Sequence, residues 1–66
     1  MNSGIYGIFN LINGKVYVGK ASNINSRFRS HKSLLNKGVH YNAYLQHSWN
    51  KYGKSNFKFD IIEYLM

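Results

Sequence analysis

Apolar and polar positions alternate twice near the start of the chain. Residues 4–10 read G-I-Y-G-I-F-N and residues 15–19 read K-V-Y-V-G, both rich in β-branched and aromatic side chains. Asn13-Gly14 lies between them, a dipeptide that tolerates positive φ and marks hairpin turns. The pattern predicts strands over about 4–10 and 15–19. Any even-numbered loop puts Tyr6, Ile8 and Tyr17 on one face and Ile5, Phe9, Val16 and Val18 on the other. An odd loop separates the two tyrosines by a whole sheet. A four-residue loop over 11–14 makes them diagonal neighbours, roughly 7–8 Å apart, and a two-residue loop about doubles that distance. The four-residue loop is favoured, because it brings two phenols together on one face.

After Gly19 the period changes. Ser22 or Asn23 can cap a helix over 24–37 that stops at Gly38. Its apolar stripe is Ile24, Phe28, Leu34 and Leu35, with Arg29, Lys32 and Lys37 toward solvent. Arg27 and His31 are four apart, one above the other, on a face that borders this stripe. His40 and Tyr41 fall in a short connection. A second helix over about 42–52 starts near Asn42, stops at Gly53 and buries Leu45, Trp49 and Tyr52. Residues 57–64 then alternate again, Phe57, Phe59 and Ile61 against Lys58 and Asp60, which predicts a third strand. Glu63 shares the parity that would turn it inward. The fold class is α/β (α+β): a small three-stranded antiparallel or mixed sheet flanked by two helices, in the order ββααβ. No linker or repeat divides the chain, so residues 1–66 read as a single domain.

Size and composition narrow what such a domain can do. A chain of 66 residues without cysteine has neither disulfides nor thiolate metal sites. Its core has to come from six Tyr, four Phe and one Trp. Nine Lys and Arg against Asp60 and Glu63 give a formal charge of +7, which favours a polyanionic partner, nucleic acid before others. No apolar run approaches the ~20 residues of a membrane span and no signal peptide is visible, so a soluble, cytoplasmic protein is expected.

Gly4-Ile5-Tyr6, Tyr17-Val18-Gly19, Arg27, His31 and His40 follow one another in that order. On those residues the chain resembles the GIY-YIG nucleases, and its pattern is nearest to the N-terminal catalytic domains of phage intron-encoded homing endonucleases. Val18 stands where the family name has Ile. The resemblance implies hydrolysis of DNA phosphodiester bonds with Mg²⁺ or Mn²⁺. It implies that Tyr6 or Tyr17 helps to deprotonate the attacking water while the other holds the water or the phosphate. Arg27 would neutralise charge on the phosphate, and His31 and His40 would assist in proton transfer or phosphate contact. Lys15, Lys20, Arg29 and Lys32 are candidates for sequence-blind phosphate contacts.

The family's acidic metal ligand is a Glu on a helix after the third strand, and that helix is missing from residues 1–66. No metal ligand is therefore assigned. Three outcomes follow: an endonuclease module, weak or inactive without that carboxylate; a non-cleaving DNA-binding remnant; or a module completed by a partner chain or a second copy.

Overall fold

A computed structural model describes residues 3–65. Strand β1 (Gly4–Asn10) and strand β2 (Val16–Ala21) form the first hairpin. Ile8 lies opposite Tyr17 and Tyr6 opposite Gly19, so the loop is the four-residue one and the tyrosines are diagonal neighbours on one face. The turn is held by its own polar groups. Asn10 Oδ1 accepts the Ile12 N–H at 2.9 Å and Asn13 Oδ1 accepts the Lys15 N–H at 2.9 Å. Gly14 takes φ 75°, a conformation that side-chain-bearing residues resist. β2 runs two residues past its predicted end because Lys20 and Ala21 still find partners in Ile5 and Gly4.

Helix α1 (Ile24–Lys37) is capped by Asn23, whose side chain accepts the Ser26 N–H at 3.1 Å. It ends at Gly38 in the left-handed conformation, with the Gly38 and Val39 N–H groups closing on Leu35 and Leu34 carbonyls. Helix α2 (Ala43–Tyr52) begins at the Asn42 cap, which accepts the Leu45 N–H at 3.0 Å. A single 3-10 turn, Lys54–Asn56, leads into β3 (Phe57–Tyr64).

The sheet is antiparallel throughout, in the order β2-β1-β3. Tyr6, Ile8, Ala21, Ile24, Leu35, Leu45 and Trp49 form the core between the sheet and the helices, with Phe28, Phe57, Phe59 and Ile61 packed against it. Tyr52, expected on the buried side of α2, is only half-buried, and Gln46 is buried in its place. The opposite face of the sheet is open, with Val16, Val18 and Ile62 about half exposed.

A β-bulge overturns the inward placement that the alternation predicts for Glu63. Ile61 pairs with Tyr6 but Glu63 pairs with Ile5, which leaves Ile62 as an extra residue and reverses the parity beyond it. Glu63 is therefore exposed on the face away from Tyr6. A two-residue alternation cannot reveal such a bulge.

Candidate active site

The cleft lies where β1, β2, α1 and the loop after α1 meet. β1 presents Tyr6, 1% exposed, and the paired Gly19 of β2 has no side chain because the Tyr6 ring lies over it. A methyl group at position 19 would collide with the Tyr6 ring and hydroxyl. Phe28 of α1 meets the Tyr6 ring edge-on at 5.4 Å. The side chain is therefore held from two sides.

A chain of hydrogen bonds starts at a backbone amide and ends on Tyr6. The Asn42 N–H donates to His40 Nδ1 at 3.0 Å. His40 Nε2 and His31 Nδ1 are 2.7 Å apart, and His31 Nε2 is 2.7 Å from Tyr6 Oη. An amide N–H can only donate, so Nδ1 of neutral His40 accepts and its proton sits on Nε2. That proton is given to His31 Nδ1, which leaves the His31 proton on Nε2, donated to Tyr6 Oη. Every link points toward the phenol oxygen.

Both imidazoles are held neutral. Burial, then the neighbouring His40 ring and the Arg27 charge, which both disfavour a second positive group, lower His31 to about 4. Burial also lowers His40, against a smaller opposing effect of the Asn42 backbone. Gln46 fixes the loop that carries His40: its Oε1 accepts the His40 N–H at 3.0 Å, and its Nε2 donates to Leu35 O at 3.1 Å.

Tyr17 closes the other side. Its ring meets His31 edge-on at 5.7 Å and His40 at 6.4 Å. Burial raises both phenols above their ordinary value. The Arg27 guanidinium charge opposes that rise at each tyrosine. Arg27 itself is exposed, so its fork is open to a ligand while its charge reaches the cleft.

Tyr6, Tyr17, Arg27, His31 and His40 thus converge. The other four basic candidates are spread out. Lys15 lines a groove together with Tyr17 and hydrogen-bonds Tyr44 Oη at 2.8 Å. Lys20 pairs with Ile5 and belongs to the open face, and Lys32 lies over the Phe59 ring at 4.9 Å. Arg29, two residues from Arg27, is exposed on another side of α1. Tyr41, Asn42 and Gln46 complete the site and were not singled out by the sequence. The N-cap signal of Asn42 was legible, but its backbone contact with His40 depends on how the loop folds.

Among the described residues no cluster of three or more His, Cys, Asp or Glu is placed to hold a metal ion. Both carboxylates lie elsewhere: Asp60 is exposed beside Lys58 at 3.5 Å, and Glu63 is on the open face. Mg²⁺ prefers carboxylate oxygen, and these cleft residues offer imidazole, phenol and guanidinium. They do not by themselves fit such an ion.

The GIY-YIG catalytic domain profile matches residues 2–66. The chain belongs to the GIY-YIG family. It is 46% identical over 63 residues to intron-associated endonuclease 1 of Enterobacteria phage T4. That match covers 96% of this chain but only 25% of the phage protein, so the chain spans a quarter of its curated relative. Among solved structures, a glutamate-to-alanine variant of the catalytic domain of intron endonuclease I-TevI superposes with a TM-score of 0.89 at 45% identity. That match covers 98% of this chain and 66% of the solved one. A second structure of the catalytic domain of homing endonuclease I-TevI gives 0.90 at 43% identity, covering 96% and 67% of the two chains. GIY-YIG members of this kind are nucleases, and the ββααβ architecture is theirs. No helix among the described residues is long and apolar enough to cross a membrane.

Proposed function

We propose that the chain is the catalytic module of a DNA endonuclease in which Tyr6, as phenolate, takes the proton of the water that attacks phosphorus. The single observation that carries this reading is the hydrogen-bond relay ending on Tyr6 Oη beside Arg27. A donated hydrogen bond and a nearby cation both favour a phenolate over a phenol. Tyr6 has both, whereas at Tyr17 the neighbouring Tyr41 adds to the rise from burial and only the Arg27 charge opposes it. The pair of tyrosines is thereby divided into a base and a positioning group. Tyr17 would hold the water or a non-bridging oxygen. His31 acts as a fixed donor to Tyr6, with His40 behind it, so neither imidazole takes the proton in the resting enzyme.

Arg27 suits the phosphate because its planar fork gives two directed donors and stays charged. Charge builds on the phosphoryl oxygens as the water adds, and a fixed cation there is worth several kcal/mol. Lys15 lines a groove with Tyr17 and is the best placed of the four outlying basic candidates for a backbone phosphate. The family works with a divalent ion, Mg²⁺ or Mn²⁺, which supplies charge neutralisation when bound. Its carboxylate would have to come from outside the residues described. The place of action in this reading is the cytoplasm of a cell that hosts a phage or mobile element.

The placement of Asp60 and Glu63 away from the cleft favours a second reading, DNA binding without cleavage. The open sheet face would in that case suit a partner chain or second copy that completes the module. Nicking of supercoiled plasmid with Mg²⁺ separates the readings. Conversion to open circle by the native chain, lost in Arg27→Ala, supports the nuclease. Salt-sensitive binding with no nicking at high protein concentration supports the second reading and overturns the first.

A further inference from the structure

Tyr41 is the one ring of the cleft to which the reaction gives no task. It follows His40 directly and lies in neither helix. Its ring stacks on His40 with centroids 4.2 Å apart and planes 27° from parallel. His40 and His31 lie edge to edge and nearly coplanar, with centroids 5.0 Å apart and planes 21° from parallel, as the hydrogen bond between them requires. The two imidazoles are 7% and 1% exposed, while Tyr41 is 65% exposed. A ring covered on one side and exposed to this extent turns its other face to solvent. Tyr41 thus lies over the face of the hydrogen-bonded imidazole pair, as its outer cover.

The Tyr41–His40 stack is stiff. His40 is fixed at its backbone N–H by Gln46 and at Nδ1 by the Asn42 amide, so the surface under Tyr41 cannot swing away. It also stands at the rim of the cleft: the Tyr41 ring is 6.0 Å from His31, and both Tyr6 and Tyr17 sense its hydroxyl.

We propose that the outer face of Tyr41 is a stacking shelf for one nucleobase, that of an unpaired or flared nucleotide beside the cleaved linkage. This rests on the nuclease reading and adds a substrate contact to it. Every base has a π-face, so a phenol ring binds it without regard to sequence, and rigidity lowers the entropic cost of doing so. A ring that only shielded the imidazoles from water would use its inner face and be indifferent to DNA.

The test is a fluorescence titration at low salt, without divalent ions, using a short single-stranded DNA with a central 2-aminopurine and a fully paired duplex. Native protein should quench the probe on binding. Tyr41→Leu should bind the single strand on the order of tenfold more weakly and quench little, while duplex binding barely changes. Tyr41→Trp should restore affinity and quenching. If Tyr41→Leu binds and quenches like the native chain, the shelf is overturned while the nucleic-acid reading stands. If native protein binds neither DNA, both fall.

Discussion

His31 donates its Nε2 proton to Tyr6 Oη across 2.7 Å, and both side chains are 1% exposed. Neither group can exchange that partner for bulk water. A buried donor left without an acceptor costs about 1–3 kcal/mol, so the pair is structural as well as chemical. Its direction is set eleven residues beyond His31, at the Asn42 amide, by way of His40.

That direction is measurable. Long-range ¹H–¹⁵N spectra at neutral pH should show His31 and His40 as Nε2–H tautomers, with exposed His47 averaging as an internal reference. An Nδ1–H signal from His31 would reverse the relay and remove the donor from Tyr6.

Acid should weaken the fold as it forces a proton onto the buried His31. The folded value of His31, about 4, lies below its ordinary 6.5. Between these values the unfolded chain binds a proton that the folded chain refuses. Stability is thus fully present above pH 6.5 and is lost as pH falls toward 4, by on the order of 3 kcal/mol in all. His40, also lowered by burial, acts in the same direction. Urea unfolding at a series of pH values reads this slope, and a flat profile from pH 7 to 4.5 would contradict the buried neutral ring.

Gly19→Ala places a methyl group against the Tyr6 ring. Overpacking of this kind typically costs about 1–3 kcal/mol. Nicking should fall by more than the folded fraction does, because the ring that moves carries the reacting oxygen. Equal activity per folded molecule would show that Tyr6 tolerates displacement.

The pattern of the sequence carried the hairpin and its consequence for Tyr6 and Tyr17, since parity and loop length determine which side chains share a face. Caps at Asn23, Asn42 and Gly38 were legible for the same local reason. Glu63 was not, because the bulge at Ile62 depends on pairing with a strand more than fifty residues away. The burial of Gln46 was hidden too. A glutamine beside Leu45 is ordinary on a solvated face until the His40 loop folds over it and needs its amide. Arg27 and His31 were placed on one face by helical spacing, but only the loop geometry joined His31 to His40.

The most direct test of the Tyr6 assignment is the pH dependence of plasmid nicking, with Mg²⁺ present, for the native chain, Tyr6→Phe and Tyr17→Phe. Burial keeps the Tyr6 phenol above its ordinary value, so at pH 7 fewer than about one molecule in a thousand holds the phenolate. The native rate should therefore climb about tenfold per pH unit from 7 to 9. Tyr17→Phe should keep that slope at a lower rate, and Tyr6→Phe should lose both the slope and at least about a hundredfold in rate. Native-like nicking by Tyr6→Phe, with the slope intact, would show that another group takes the proton.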